Sequence, residues 1–283
     1  MIADRPRVPA VQAVRELGDV ACWADLRPAV TRHSLREAVR RGELTRCDRG
    51  RYRVAEADEA LVVARRIGGV ASHLSAAVLH GWEVARPPTD AWFTVPRGSR
   101  RREVWTPHTY RADLGDEPGD VTRPLRTVLD CARRLPFEEA LTVADSALRH
   151  GDVEPLELRI ATQRVGGRGA GQLRRVAAHA DGRAANPFES VLRAHALEAG
   201  LDAVAQLAVR VEGRVLHPDV GDAGRRLAVE AESWAYHGDA EAFRSDCWRH
   251  TVLAVAGWRV LRFTWQQVMH DGAWVRRCLA AFA

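Results

Sequence analysis

The segment His217–His237 reads HPDVGDAGRRLAVEAESWAYH, and it decides the fold that we predict for the last third of the chain. In its second half, Leu227–Glu232, successive residues alternate between an apolar set and a set that ends in two glutamates, with the period of two that is typical of a β-strand. Gly221–Gly224 favours a tight turn, because glycine adopts positive φ without strain. With a first arm at Val215–Val220, the pattern predicts a β-hairpin.

Three carboxylates are expected on one face of this hairpin. Glu230 and Glu232 lie two residues apart on the second arm, so their side chains share a face at a spacing of roughly 7 Å. In the register that pairs Asp219 with Ala228, Asp219 joins them, whereas a slip by one residue would turn it to the other face. Clustered carboxylates bind hard divalent cations such as Mg²⁺ or Mn²⁺, which activate water and neutralise phosphodiester charge. The alternative is an ordinary solvated strand face, although strands are depleted in acidic residues.

Several motifs in residues 181–283 resemble the metal site of the PD-(D/E)xK nuclease fold and, more narrowly, the very-short-patch-repair endonuclease-like domain. The residues that carry the resemblance are Asn186–Glu189, Asp219, Val229–Glu232, Tyr236–Gly238 and Gly257–Trp265. The resemblance implies a restriction-endonuclease-like mixed sheet flanked by helices. In that sheet Trp258–Thr264, which is apolar along most of its length, is expected to be a buried central strand.

The same resemblance assigns roles to the acidic residues and to one histidine. Asp219 and Glu230 would bind the metal ion, Mg²⁺ or Mn²⁺. Glu232 stands where the superfamily has a lysine, and Arg249 or Arg262 would then supply the missing positive charge. His237 would deprotonate or orient the attacking water, since the pKa of histidine is near 6.5.

Glu189 has two interpretations that do not exclude each other. As a structural residue it completes a capping box with Asn186 at the start of a helix. As a catalytic residue, which the resemblance implies, it is the glutamate of the first helix that assists the metal site.

Composition excludes several classes of site. All 42 basic residues are arginine, and the absence of lysine excludes a Walker-type phosphate loop and Schiff-base chemistry. The five cysteines are scattered without CxxC spacing, which predicts buried thiols in a reducing cytoplasm. No apolar run approaches the length of about 18 residues that a membrane helix needs, and no signal peptide is expected, so the predicted location is cytoplasmic, without a membrane partner.

Residues 1–56 predict a winged helix-turn-helix, with a helix capped by Thr31 and a hairpin at residues 44–54. Residues 31–53 carry a net charge of +5, which equals the charge of the whole chain. This charge predicts binding to the major groove and backbone of DNA. The side chains expected to touch DNA are Arg32, His33, Arg36, Arg40, Arg46, Arg49 and Arg51. The alternative is a solvated face in an arginine-rich protein.

The N-terminal region and the middle region, residues 57–180, resemble AbiE-type antitoxins. The residues that carry the likeness in the middle region are ASHLSAAVLHGW (71–82), FTVPRG (93–98) and VTRPLRTVLDCARRL (121–135). The resemblance implies operator binding, autorepression and a nucleotidyltransferase-like toxin as partner. We therefore expect a multi-domain α/β protein with a winged helix at 1–56, an α+β middle region at 57–180 and the nuclease-like domain at 181–283.

Two functions remain open at this point. The first is a metal-dependent DNA endonuclease that its winged helix delivers to DNA. The second is a non-enzymatic, antitoxin-like transcriptional repressor with a vestigial nuclease fold. The missing lysine favours the second function, whereas the three carboxylates favour the first. RNA in place of DNA as the target stays an alternative.

Overall fold

The structure, a computed structural model, describes residues 9–16, 20–48, 51–54, 59–99, 106–115, 119–163, 165–232 and 240–283. The protein is a mixed α/β protein, and it divides into two compact units. The first unit consists of Met1–Ala76 and Pro88–Thr122, and the second of Ala77–Pro87 and Arg123–Ala283. None of the described helices combines the length and the apolar character that are needed to cross a membrane.

The first unit holds two small sheets and the helices around them. Its elements are α1 (Ala10–Glu16), β1 (Val20–Cys22), α2 (Trp23–Leu26), α3 (Arg32–Arg40), β2 (Leu44–Asp48), β3 (Arg51–Val54), α4 (Glu59–Ile67), β4 (Val70–Ala71), β5 (Phe93–Pro96) and β6 (Thr109–Ala112). One sheet is antiparallel with the order β1-β3-β2. The other has the order β4-β5-β6, in which β5 and β6 are parallel. Helix α5 (His73–Leu79) begins in this unit and ends in the second.

Helix α3 is amphipathic and is capped where the sequence predicts it. The hydroxyl oxygen of Thr31 accepts a hydrogen bond from the backbone N–H of Ser34 at 3.0 Å, which satisfies one of the free donors of the first turn. Leu35 and Ala38 are buried in a core with Leu26 and other apolar residues of this unit. The arginines of the helix consequently lie on its exposed face.

The described residues of the second unit form eight complete helices and two sheets. Its helices are α6 (Pro124–Arg134), α7 (Phe137–His150), α8 (Pro155–Gln163), α9 (Ala170–His179), α10 (Pro187–Glu198), α11 (Ala240–Val255), α12 (Trp265–His270) and α13 (Gly272–Ala280). The last turn of α5 also belongs to this unit. Its strands are β7 (Val204–Ala205), β8 (Val209–Val211), β9 (Arg214–Leu216), β10 (Val220–Asp222), β11 (Leu227–Glu232) and β12 (Arg259–Thr264).

A mixed four-stranded sheet forms the centre of the second unit, with the order β12-β11-β10-β7. Strands β10 and β11 are antiparallel, whereas β11 and β12 are parallel and are connected through α11. Leu227 and Val229 of β11 are buried in one core with α10, α12 and α13. Ala228, on the other face, packs with β8, β9 and α11. Both faces of β11 are therefore covered, which gives its charged end a rigid support.

The hairpin differs from the prediction in its bounds and in its register. Its first arm is β10, and Gly221 lies inside this strand opposite Ala228, the position expected for Asp219. The turn begins only at Ala223. A physical reason is the close approach of Leu207, whose Cδ2 would lie 2.6 Å from a Cβ at position 221. The glycine is thus required by packing in the strand and not by a turn.

Two further expectations for this unit are corrected. Strand β12 lies at an edge of the described sheet, not at its centre, and of its six residues only Phe263 is buried. Cys131 is a buried thiol as predicted, but Cys247 is exposed. The apolar appearance of Trp258–Thr264 comes from side chains that are only partly covered, so apolar composition alone overestimated its burial.

Candidate functional site

Asp219 and Glu230 lie side by side at one end of the β10–β11 pair. Val220 pairs with Val229, so the register brings Asp219, just before β10, level with Glu230. This is a shift of two residues from the expected register, and a shift of two leaves Asp219 on the expected face. The Oδ2 of Asp219 accepts a hydrogen bond from the backbone N–H of Ala231 at 2.9 Å. The fold therefore holds the two carboxyl groups together.

Glu230 is almost fully buried, with 1% of its surface exposed. Burial, and next to it the negative charge of Asp219, raise the pKa of Glu230 to about 8. Its Oε2 lies 3.3 Å from the Nη2 of Arg249, which partly offsets that effect. Its Oε1 is buried and has no hydrogen-bond partner among the described residues. A buried carboxylate oxygen without a donor is unfavourable unless a proton or a cation satisfies it.

Glu189 joins the pair through a bridging glutamine. The side-chain amide of Gln206 donates to the Oε2 of Glu189 at 3.0 Å and lies 3.5 Å from the Oδ1 of Asp219. The backbone N–H of Gln206 also donates to the carbonyl oxygen of Asp219 at 3.0 Å. Burial, together with the charge of Asp219, raises the pKa of Glu189. The three carboxylates thus form one electrostatically connected group.

The contacts of Glu189 at the start of α10 differ from those of the predicted capping box. Asn186 caps α10, since its Oδ1 accepts from the N–H of Glu189 at 3.0 Å. The carboxylate of Glu189 accepts from the N–H of Ala185 and from the side-chain amide of Asn186, not from the backbone of Asn186 as a capping box requires. Glu189 therefore supports the start of the helix in a modified way while its charge faces Asp219.

Glu232 lies apart from the buried pair and has its own cation. The Nε of Arg262 donates to the Oε1 of Glu232 at 2.6 Å. Burial by itself would raise the pKa of Glu232, but the hydrogen bond and the charge of Arg262 lower it overall. Glu232 is consequently an ionised carboxylate beside a guanidinium.

Two histidines lie close in sequence to Arg249 or to the end of β11. His237 lies outside the described residues. His250, which sequence reasoning did not select, has a buried Nε2 without a hydrogen-bond partner among the described residues. Burial and the nearby cations Arg262 and Arg249 lower its pKa, so the ring is neutral near pH 7. In the sequence, the one feature that points to His250 is its position directly after Arg249.

The donor set limits what this site can bind. Within the described residues, no group of three or more histidine, cysteine, aspartate or glutamate side chains is arranged to hold a metal ion. The pair of Asp219 and Glu230 fits a hard cation by its oxygen chemistry and by the unsatisfied Oε1. Such a cation would take its other ligands from water or substrate, as Mg²⁺ commonly does.

The candidate DNA-binding residues lie in the first unit. Arg32, His33, Arg36, Arg40 and Arg46 are exposed. Arg32 lies over the ring of Trp23 at 5.2 Å, and Arg40 forms an ion pair with Glu37 at 2.6 Å. Arg51 lies on β3, although its side chain is outside the described part of the structure, and Arg49 is outside it altogether. Among the described residues Arg36 forms no ion pair, whereas Arg40 pairs with Glu37 and Arg32 lies over Trp23.

Gln206, like His250, is a residue of this site that the sequence did not predict. Its backbone has a φ of +49°, in the left-handed region that residues other than glycine seldom adopt. The carbonyl oxygen of Gln206 accepts from the Nδ1 of His217 at 3.0 Å. A strained backbone at a candidate site is consistent with a functional constraint. No property of the segment Ala205–Leu207 distinguishes this glutamine in sequence.

Comparison with known proteins gives relatives without a described activity. No family model matches the chain. It is 31% identical over 247 residues to "Uncharacterized protein MT2308" of Mycobacterium tuberculosis strain CDC 1551 / Oshkosh, an alignment that covers 82% of this chain and 89% of that protein. The same values hold for "Uncharacterized protein Rv2248" of strain ATCC 25618 / H37Rv. The crystal structure of the RV2827C protein from the same organism is similar with a TM-score of 0.35 and 15% identity, over 66% of this chain and 82% of that one.

Proposed function

The chain belongs to the same family as the uncharacterized proteins MT2308 and Rv2248 of Mycobacterium tuberculosis, and from its own residues we propose that it is a DNA endonuclease dependent on Mg²⁺ or Mn²⁺. In this proposal the second unit contains a restriction-endonuclease-like domain of the PD-(D/E)xK type. The first unit contributes a winged helix that holds the protein on DNA, and the middle region is antitoxin-like. The proposed location is the cytoplasm.

One observation carries this proposal, namely the pair of Asp219 and buried Glu230. When both are ionised, the carboxylates of Asp219 and Glu230 repel each other, and only one guanidinium, that of Arg249, approaches Glu230 within ion-pair distance among the described residues. The fold thus maintains an electrostatically unfavourable arrangement that a divalent cation would stabilise. An ion-pair network that serves only stability does not require two adjacent carboxylates with a single guanidinium beside them.

Each residue then has a defined task. Asp219 and Glu230 bind the cation, which would supply a polarised water and neutralise charge on the phosphodiester. Gln206, whose side-chain amide is bound by Glu189, orients Asp219. Arg262, which is paired with Glu232, provides positive charge for the developing anion in place of a lysine.

Proton transfer from the attacking water is the remaining task. We assign it to one of two histidines, His237 or His250. His250 is suited to it because a neutral imidazole with a free nitrogen accepts a proton. Glu232, with its lowered pKa, stays ionised and orients Arg262.

A second function is supported by a different observation. Within the described residues, no group of three or more histidine, cysteine, aspartate or glutamate side chains is arranged to hold a metal ion, and no lysine follows Glu230. This favours the antitoxin-like repressor, in which α3 and the β2–β3 hairpin bind operator DNA, the nuclease-type domain no longer cuts, and a nucleotidyltransferase-like toxin is the partner. DNA binding by the first unit is common to both functions.

Nicking of supercoiled plasmid by the purified full-length protein tests the proposal. With Mg²⁺ or Mn²⁺ we expect nicked product, which EDTA abolishes and which Asp219→Asn reduces at least about 100-fold. The matched control is Glu157→Gln on α8, a carboxylate of the same unit away from the pair, which should nick at the normal rate. Salt-sensitive DNA binding without nicking on any substrate would overturn the nuclease and favour the repressor.

A further inference from the structure

An exposed tryptophan on α11 has two arginines as neighbours, one over its ring and one on the same helix face. Trp248 is 39% exposed, although large aromatic side chains are usually well covered. The guanidinium of Arg214, on β9, lies over its ring at 4.8 Å from the centroid. Arg244 precedes Trp248 by four residues on the same helix, so the two side chains share a helix face. We refer to Arg214, Arg244 and Trp248 as the Trp248 patch.

Chain neighbours of the Trp248 patch contribute to the carboxylate pair of the same unit. Arg249, which follows Trp248 in the chain, reaches Glu230 at 3.3 Å. On the other side of the patch, β9 ends at Leu216, and Asp219 follows after two intervening residues. A polymeric substrate with one phosphate at Asp219 and Glu230 would therefore extend along the patch.

The electrostatic character of the patch suits an anionic partner. Arg214 and Arg244 form no ion pair with any carboxylate whose side chain the structure describes. Asp246, two residues after Arg244, is directed to Arg249 at 3.7 Å. Both arginines are exposed, so their charges are available to a partner. Phosphate groups are the anions that match such a cationic surface beside a phosphodiester-cleaving site.

The aromatic ring adds selectivity for unpaired bases. A base in a duplex is already stacked on both faces, whereas an unpaired base gains free energy by stacking on an exposed indole. An arginine over the same ring can stack on the base or bind its phosphate.

We propose that the Trp248 patch binds single-stranded DNA beside the site of cleavage, with a base stacked on Trp248 and with Arg214 and Arg244 bound to the flanking phosphates. This inference rests on the proposed endonuclease function and adds its substrate class, which is DNA with an unpaired stretch. It also gives the second unit a contact with DNA that is independent of the winged helix.

The test is fluorescence anisotropy of a fluorescein-labelled oligothymidylate, titrated with full-length protein in EDTA so that no cleavage occurs. All proteins carry Arg32→Ala and Arg36→Ala to reduce binding by the first unit. Trp248→Ala should weaken binding about tenfold, whereas Trp248→Phe, which keeps a stacking ring, should stay within about threefold of the parent. Arg244→Ala should lower the slope of log affinity against log salt by about 0.7. The control is Leu156→Ala, an apolar residue 68% exposed on α8, which should bind like the parent.

Thermal denaturation of each variant separates loss of binding from loss of folding. A normal melting temperature with weaker binding supports the proposal. Equal binding by Trp248→Ala and the parent, an equal loss in Leu156→Ala, or no binding by the parent at low salt overturns it. Plasmid nicking is scored separately: binding that depends on Trp248 without nicking rejects the nuclease and keeps the patch, while nicking with binding independent of Trp248 rejects the patch alone.

Discussion

Asp219 and Ala231 are joined across the β10–β11 pair by a hydrogen bond of 2.9 Å from the backbone N–H of Ala231 to the Oδ2 of Asp219. Because Ala231 directly follows Glu230, this bond fixes the carboxylate of Asp219 beside the buried carboxyl group. The pair is therefore a property of the strand register and not of flexible side chains. The consequence is a local electrostatic cost in the absence of a cation, and that cost can be measured.

Glu230→Gln should stabilise the cation-free protein at pH 8. The pKa of Glu230 is raised from 4.5 to about 8 in the folded state, so the unfolded chain releases this proton first as the pH rises. The free energy of unfolding of the wild type should thus fall between about pH 5 and pH 8, whereas a glutamine has no proton to release. We expect the variant to exceed the wild type by about 2–4 kcal/mol at pH 8 and by much less at pH 5 in urea denaturation with EDTA.

Mg²⁺ or Mn²⁺ provides the control for this prediction. A cation bound to Glu230 favours the ionised form, so it should raise the stability of the wild type at pH 8 and have little effect on Glu230→Gln. A difference between the two proteins that is the same at every pH would contradict the role of the raised pKa. It would point instead to altered packing around position 230.

Gln206→Ala and Gln206→Gly should separate backbone strain from the bridging amide. Both variants lose the hydrogen bond to Glu189, so both should bind Mn²⁺ about 10-fold more weakly, as is usual when a residue that orients ligands is removed. Glycine tolerates the φ of +49° and alanine does not, so the glycine variant should be more stable than the alanine variant by about 1 kcal/mol. Calorimetric titration with Mn²⁺ and thermal denaturation measure the two effects. Normal Mn²⁺ affinity in both variants would show that the bridge has no role in binding.

The sequence predicted those parts of the fold that depend on local patterns. The cap at Thr31 and the start of α10 at Asn186 follow from short-range hydrogen bonds, and both are present. Alternation also gave the correct span for β11. These features depend on residues within a few positions of each other, so a single sequence contains the information for them.

Long-range contacts explain what the sequence did not predict. The buried Asp145 and Arg193 form an ion pair at 2.8 Å between α7 and α10, and Arg249 reaches Glu230 across nineteen positions. Neither pairing follows from spacing, because many arginines are available in this chain. The bridge by Gln206 likewise depends on a loop conformation that only the folded backbone defines. The candidate carboxylates and the two nearby arginines, Arg249 and Arg262, were thus identified in sequence, whereas the pairing of each arginine and the bridge by Gln206 were not.

Gly221→Ala should destabilise the protein, in contrast to Gly224→Ala. A Cβ at position 221 would lie 2.6 Å from the Cδ2 and 2.8 Å from the Cβ of Leu207, and the latter atom cannot move without the backbone. We expect a loss of about 1–3 kcal/mol in the free energy of unfolding, as for other overpacked positions. At position 224 the nearest atom, the Oδ1 of Asp222, is 3.5 Å away, so the same change should cost less than about 1 kcal/mol. Equal effects at the two positions would mean that Gly221 acts as a turn residue after all.

Arg36→Ala should weaken binding of the full-length protein to duplex DNA and lower its salt dependence. Arg36 is exposed on the same face of α3 as Arg32, and removal of one phosphate contact changes the slope of log affinity against log salt by about 0.9. The control is Arg159→Ala, which removes an exposed arginine from α8 in the second unit and leaves the total charge equal to that of the first variant. Anisotropy titrations over a range of salt concentrations measure both slopes. If the two variants lose the same slope, binding reflects the net charge of the chain, and α3 is an ordinary solvated face.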